Sequence, residues 1–391
     1  MVARWVEFAA QIARGSSTID VPPIAKSGEL IILGSGIAHA DIMITDEETI
    51  SAADHVFYCM YDRVTQIWIN SIRPDALDLR ILYDREKDRH DTYVTMAEAM
   101  LYHVRRGKKV VAVYYGHPGI FATPTHRAIQ IARKEGHVAR MRPGISALDY
   151  LVADVGFDPM LPGLLSYEAS DLLLRRRRLD PTLHTVIWQI GTVGEFQFDP
   201  KGFANHGFDL FVDVLIEAYG IDAKAIHYIA PQYVGIEPLI ETHRIGSLRE
   251  EPVRSKVSAL STLYLPPAEV TPTDVARSID LKFDASNDLE FTYDFSSYTL
   301  RERAAVDRLH NFVAPSHYVV AGASPASEFM LLVSRDLDLQ RRYLANPADA
   351  IAQSNVVGLS ERARRLLTIP HPAAINAAIA EPSEKDISDV K

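Results

Sequence analysis

The strongest constraint on the fold is a rhythm. Short apolar runs recur along the first two thirds of the chain, separated by segments long enough for helices. GELIILG, HVFYCMY, KKVVAVYYG and HVARM come first, and HTVIWQIG, KAIHYIA and RSKVSALSTLYLPP (Arg254 to Pro267) follow. Runs of this length and composition predict buried strands. Strands alternating with helices predict an α/β fold with a largely parallel sheet, whose ligands bind beyond the carboxyl ends of the strands. One such unit begins near Gly28. A second begins near Asp180, with the boundary at about 170–180, and the double proline Pro266-Pro267 ends it.

Helix signals fit between these runs. Thr45 and Glu48 in TDEE suggest a capping box for a helix through Ala53. Pro74 to Arg89 reads as irregular and leads into a helix through Met96, Met100 and Val104. Thr123-Pro124 opens a helix to Lys134, and PGISALDYLVADVG reads as a turn and a helix. Residues 1–27 form an extension that begins as an amphipathic helix. Residues 268–326 read as a linker or clasp. Residues 327–369 read as three helices, with stops at Asn346-Pro347 and Gly358. The segment 370–391, rich in small residues and charged at its end, is expected to be a flexible tail.

A formal net charge of −10 over 391 residues argues against a nucleic-acid binder, which is usually basic. The run Arg175 to Arg178 reads as a solvated helix end or a charge cluster at an interface. The single cysteine, Cys59, excludes a disulfide within the chain and any multi-cysteine metal site; a buried structural thiol is the expectation. Glu7 interrupts the N-terminal segment, which therefore lacks the apolar core of a secretion signal. No run approaches the roughly 18 apolar residues of a membrane helix. These features predict a soluble, cytoplasmic protein.

Two glycine loops follow strand runs directly. Gly34-Ser35-Gly36 lacks the third glycine of a dinucleotide site, so a nicotinamide-dependent oxidoreductase fits poorly. Gly116-His117-Pro118-Gly119 is the second. Together they set bare backbone at two strand ends. His117 is either a ligand or base, or a residue packed in its own turn. No His-x-x-x-His spacing occurs, and no metal site is predicted.

ELIILGSGIAHADIMIT, YYGHPGIF, RMRPGISALDYL and WQIG, in this order, resemble the tetrapyrrole-methylase class of S-adenosylmethionine-dependent methyltransferases. The resemblance implies two α/β subdomains within 28–267 and S-adenosylmethionine in the cleft between them, leaving as S-adenosylhomocysteine. It places Gly34, Gly36, Tyr115, Gly116, His117, Pro118, Gly119, Ile120 and Phe121 along that cleft. Ser146, Ala147, Gln189, Ser261 and Thr262 would surround the amino-acid and adenosine parts. DLRILYDREKDRHDTY, SYEASD, HYIA and STLYLPP narrow the match to the omphalotin-type borosin peptide α-N-methyltransferases. The helices after Ser327 are similar to that family's leader region. The implied activity is methylation of backbone amides of a peptide, often the enzyme's own C-terminal tail, within a homodimer whose active sites each take the partner's tail.

The chemistry suits these residues. An amide nitrogen is a poor nucleophile because its lone pair is delocalised into the carbonyl. Its proton must leave, or its imidate form must be stabilised. A phenol near a guanidinium is expected to have a lowered pKa. Tyr93 or Tyr83 beside Arg89 would then help deprotonate the amide, while Arg89 or a phenol O–H stabilises the developing oxyanion. The resemblance assigns Arg89, Tyr93, Tyr83 and Tyr115 to catalysis. The family often carries another tyrosine where Arg80 stands, which leaves the identity of the base open. The bland reading makes these tyrosines half-buried packing residues and Arg89 a surface partner of Asp88 or Asp91.

Ala373 to Ala380 is the candidate core peptide. It is a short fused substrate, the mark of a truncated sequence, or the end of a helix in a module without its substrate. A tetrapyrrole-type small-molecule methyltransferase and a catalytically idle binding protein remain as alternatives. The first leaves the helical module unexplained, and the second has no use for the tyrosine–arginine set.

Overall fold

The computed structural model describes residues 2–16, 27–84, 87–199, 202–282, 300–311, 313 and 323–381. It divides into two compact units, Met1–Glu290 and Phe291–Lys391. Expectations for the remaining residues, including 382–391 of the tail and much of 268–326, lie outside the described residues.

The first unit opens with helix α1 (Val2–Ser16), whose Trp5 and Phe8 are buried. They pack on Phe57, and Phe8 also meets Tyr102 and His103. The first sheet holds β1 (Glu29–Gly34), β2 (His55–Cys59), β3 (Leu77–Asp78), β4 (Lys109–Tyr114) and β5 (Val138–Met141). Its order is β3-β2-β4-β1-β5, and every pairing is parallel. Alternation along β1 serves two cores at once. Leu30 and Ile32 enter the core on one face, and Ile31 and Leu33 enter the core on the other. A strand buried on both faces must read as a continuous apolar run, which is why ELIILG was legible. Helices α2 (Asp46–Ser51), α3 (Arg63–Ile72), α4 (Arg89–Val104) and α5 (Thr123–Lys134) follow within this part of the chain, while α6 (Ala147–Val155) buries Leu151 in a separate core with Val186, Ile226 and Tyr228.

The second sheet holds β6 (Leu164–Glu168), β7 (His184–Trp188), β8 (Lys224–Ile229), β9 (Leu239–Arg244) and β10 (Thr262–Leu265), in the order β6-β7-β10-β8-β9. Helices α7 (Ala169–Leu174), α8 (Phe208–Tyr219), α9 (Glu251–Arg254) and α10 (Val275–Asp280) belong to this part of the chain.

Several expectations need correction here. The second sheet begins at Leu164, before the expected boundary at 170–180. Only β6 and β7 pair in parallel, and the rest is antiparallel. No helix separates β8 from β9, and strands joined without a crossover run antiparallel. β9 escaped notice because it is an edge strand whose alternate residues are exposed, so LIETHR carries charge. The run Arg254 to Pro267 contributes only four strand residues. Thr45 does stand at the N-cap of α2, but its side chain makes no cap bond. Its hydroxyl instead accepts from Arg142 at 3.0 Å.

The second unit is helical where it is described. It holds α11 (Leu300–Asp307), α12 (Pro325–Arg335), α13 (Leu337–Ala345), α14 (Pro347–Ala352), α15 (Glu361–Leu367) and α16 (Pro372–Ile379). Ser324, Asp336, Asn346, Ser360 and His371 cap the last five in turn. Each cap satisfies a backbone N–H that the first turn leaves open. Phe329, Tyr343, Leu367 and Ala378 share one core. The predicted three helices are therefore divided further. The tail is helical over 372–379, with Ala378 fully buried, and so is not flexible there.

Candidate active site

The glycine loops meet at the carboxyl ends of β1, β4 and β5. Gly116 donates its N–H to the Gly36 carbonyl at 2.9 Å, and Ser35 donates to the Tyr114 carbonyl at 2.8 Å. A side chain on Gly34 would collide with the Gly116 carbonyl and the Pro118 ring. Gly116 is a different case. It lies at φ +69°, and a Cβ there would meet nothing nearer than 3.7 Å. Its left-handed backbone is buried beside Ile37 and Ile145, and the conformation is what favours glycine there. Asp41 secures the first loop, accepting from the Ile37 and Ala38 N–H groups at 2.8 and 3.0 Å and from the Tyr150 hydroxyl at 3.0 Å.

The remaining cofactor candidates divide into two groups. Ile120 and Phe121 present exposed apolar surface, and Phe121 meets Trp188 of β7 edge-on at 5.9 Å. Gln189 follows β7 with φ +58°, a conformation costly for a residue with a Cβ. It lines a cleft of about 300 Å³. The other group is structural in its contacts. His117 accepts the Gly119 N–H on Nδ1 at 3.0 Å, so it packs in its own turn. Ser146 caps α6 and forms a capping box with Asp149, while Ala147 packs beside Tyr228 and Trp188. Ser261 is fully buried, its hydroxyl 2.7 Å from His227 Nε2 and accepting from the Ser258 N–H at 2.9 Å. Thr262 is buried opposite Tyr228.

Arg89 and Tyr93 sit one turn apart at the start of α4, on one helix face. Both line the cleft with Asp88, Thr123, Glu168, Ser170, Gln189, Glu195 and Phe196. The cleft thus draws on both sheets. Asp88 caps α4 through the His90 N–H at 2.7 Å, and the Arg89 N–H donates to the Phe196 carbonyl at 3.1 Å. The Arg89 guanidinium lies 5.2 Å from the Phe203 ring centre. Among the described residues no carboxylate is in ion-pair range of it, so the surface pair with Asp88 or Asp91 is not formed. Tyr83 and Tyr93 meet edge to face at 6.5 Å, and Tyr83 packs on Phe198 at 4.6 Å.

The expected acidic phenol is not present. Burial dominates and pushes the pKa of Tyr83 and Tyr115 well up. Burial also raises Tyr93, and the Arg89 charge only restrains that rise. These phenols are neutral hydrogen-bond donors at ordinary pH. Cys59 behaves as a structural thiol, pushed up to about 12 by burial.

Tyr61 was missed. It follows β2 at the same sheet edge, meets Tyr115 edge to face at 6.1 Å, and lies beneath the Arg80 guanidinium at 5.9 Å. The rule that ligands lie beyond strand ends would have found it, but MYD carries no motif.

Residues 29–196 match the family model described as Tetrapyrrole (Corrin/Porphyrin) Methylases. The chain is a methyltransferase of that fold. The methyltransferase/ribosomally synthesized type I borosin cyclic peptide precursor ceuMA2 of Cerrena unicolor is 37% identical, covering 93% of this chain and 94% of its own. The type I precursor mroMa1 of Mycena rosella is 38% identical, covering 93% and 96%. The chain belongs to this borosin methyltransferase/precursor family. Among solved structures, a uroporphyrin-III-C-methyltransferase from Thermus thermophilus is 13% identical over 64% of this chain and 99% of its own, with a TM-score of 0.44.

Proposed function

We propose that the protein transfers methyl groups from S-adenosylmethionine to backbone amides of a peptide. The observation that carries this reading is Arg89 beside Tyr93. A guanidinium without a carboxylate partner among the described residues stands next to a neutral phenol, in a cleft that Thr123, Glu168 and Gln189 also line. The exposed apolar surfaces of Ile120 and Phe121 fit a nucleoside-bearing donor. When bound, that donor supplies an electrophilic methyl on a sulfonium.

The chain's own residues then have defined roles. Arg89 and a phenol O–H hold the amide oxygen as charge develops on it. Tyr93, whose rise Arg89 restrains, is the phenol best suited to take the amide proton, which it does from its minor phenolate form, returning to the neutral phenol. Tyr83 and Tyr115 buttress this arrangement. The two sheets fix peptide and donor in line, which supplies much of the rate.

The candidate core Ala373–Ala380 coincides with α16 and its last turn. Its amides are spent in the helix; Ala380 donates to the Asn376 carbonyl at 3.1 Å. An N-methylated amide has no donor, as with proline, and breaks a helix interior. The substrate is therefore placed after α16 or on a separate precursor chain, delivered within a homodimer.

Incubating the full chain with S-adenosylmethionine tests this. Intact and fragment mass spectrometry should show single-methyl increments on backbone amides of the tail or of an added precursor peptide. Arg89→Ala should abolish them. Increments confined to side chains would overturn the reading.

A further inference from the structure

Tyr61 is held from every side yet half exposed. The preceding residue, Met60, receives a hydrogen bond on its carbonyl from Gln66 Nε2 at 3.0 Å. The following residue, Asp62, caps α3, accepting from the Val64 and Thr65 N–H groups at 2.9 Å each. Arg80 closes the ring. Its Nε donates to both Asp78 oxygens at 3.1 Å, and its Nη2 donates to Asp78 at 2.7 Å and to Gln66 Oε1 at 3.0 Å. Gln66 thus joins the Arg80 head to the Met60 carbonyl, next to Tyr61 in the chain. With its charge answered by Asp78, Arg80 offers Tyr61 a flat face.

A packing tyrosine in this fold looks different. Tyr58, on the preceding strand β2, is 2% exposed, and its hydroxyl accepts from Asn70. Tyr61 is 48% exposed, and no described residue hydrogen-bonds its hydroxyl. Partial desolvation by its neighbours pushes the phenol up to about 12, so it remains a donor throughout the working range of a methyltransferase. A rigid, half-exposed donor between Tyr115 and Arg80, within electrostatic reach of Tyr93 and Arg89, is preorganised for a ligand.

We infer that Tyr61 is a further substrate-contacting residue, donating its phenol O–H to a backbone carbonyl of the bound peptide, with Arg80, Gln66 and Asp78 as its pedestal. This rests on the peptide-methylation reading. It also accounts for Arg80, whose guanidinium supports a phenol instead of meeting substrate itself.

The test uses the full-length chain, S-adenosylmethionine and the first-methyl rate by mass spectrometry. Tyr61→Phe keeps the ring on Arg80 and removes one donor. The rate at saturating donor should fall about tenfold, the worth of one hydrogen bond to a polarised oxygen. Half-saturation by S-adenosylmethionine and the melting temperature should not move. Arg80→Leu should lower the rate through Tyr61, and the double variant should lose no more than Tyr61→Phe alone, because the two act as one unit. A Tyr61→Phe rate within twofold of wild type overturns the inference while leaving peptide methylation intact. A loss confined to half-saturation overturns it by assigning Tyr61 to the donor. A wild-type chain that methylates no backbone amide of its own or of an added precursor peptide overturns both readings.

Discussion

Arg80 and Arg89 lie in one short segment, each beside tyrosines, and the fold treats them oppositely. Arg80 is tied to Asp78 by three contacts and to Gln66 by a fourth. Arg89 has an aromatic ring at its face and no carboxylate in range among the described residues. A guanidinium whose donors are answered within the protein is scaffold. One whose donors are unanswered, at the wall of a cleft, is free to meet a developing charge. Residue type does not separate these roles; the neighbours do.

The comparison breaks first at Arg89. Arg89→Ala should cut the methylation rate about 10²- to 10³-fold, the usual cost of a preorganised charge-stabilising donor. Its melting temperature should stay within about 2 °C, since no ion pair is lost. An equal fall in melting temperature and activity would make Arg89 a second scaffold.

The pH dependence of the rate comes next. The Tyr93 pKa is raised, so its phenolate becomes populated only above the ordinary value of about 10. The rate should climb between pH 7 and about 10 without a plateau, and Tyr93→Phe should flatten the climb. A plateau centred below pH 9 that Tyr93→Phe removes would restore a lowered phenol. Folding stability follows the same sign. A raised phenol pKa contributes stability that is present below about pH 10 and is lost as pH rises through the folded value, which is about 12 for Tyr61.

Asp78→Ala should show the opposite pattern to Arg89→Ala. It strands a partly buried guanidinium, costing about 1–3 kcal/mol and lowering the melting temperature by a few degrees. The rate should fall only modestly. A loss as deep as that of Arg89→Ala would mean that Arg80 acts on substrate directly. The smallest effect is expected at Tyr83, packed on Phe198. Tyr83→Phe keeps the ring and should cost about threefold. A loss matching Tyr93→Phe would make the pair a single proton-handling unit.

Legibility tracked burial. β1 and β4, covered on both faces, read as unbroken apolar runs, and their glycine loops stood out directly after them. β9 and β6 did not, because β9 alternates at an edge and β6 is only half covered. The helical module was readable as helices, since Ser324, Asn346 and Ser360 are ordinary cap residues. Its number of helices was not, since Asp336 ends one helix and caps the next. Arg89 and Tyr93 were named as candidates through the family resemblance of their segment. Tyr61 was not, since its partners, Gln66, Arg80 and Tyr115, lie on three other segments.

Local pattern was enough to establish the α/β class and the glycine loops, because apolar periodicity and backbone freedom are properties of neighbours in the chain. Folding in three dimensions settled the sign of the phenol pKa shifts, the opposite fates of Arg80 and Arg89, and the helical state of 372–379. Each depends on desolvation and on partners distant in sequence, and those exist only once the chain has packed.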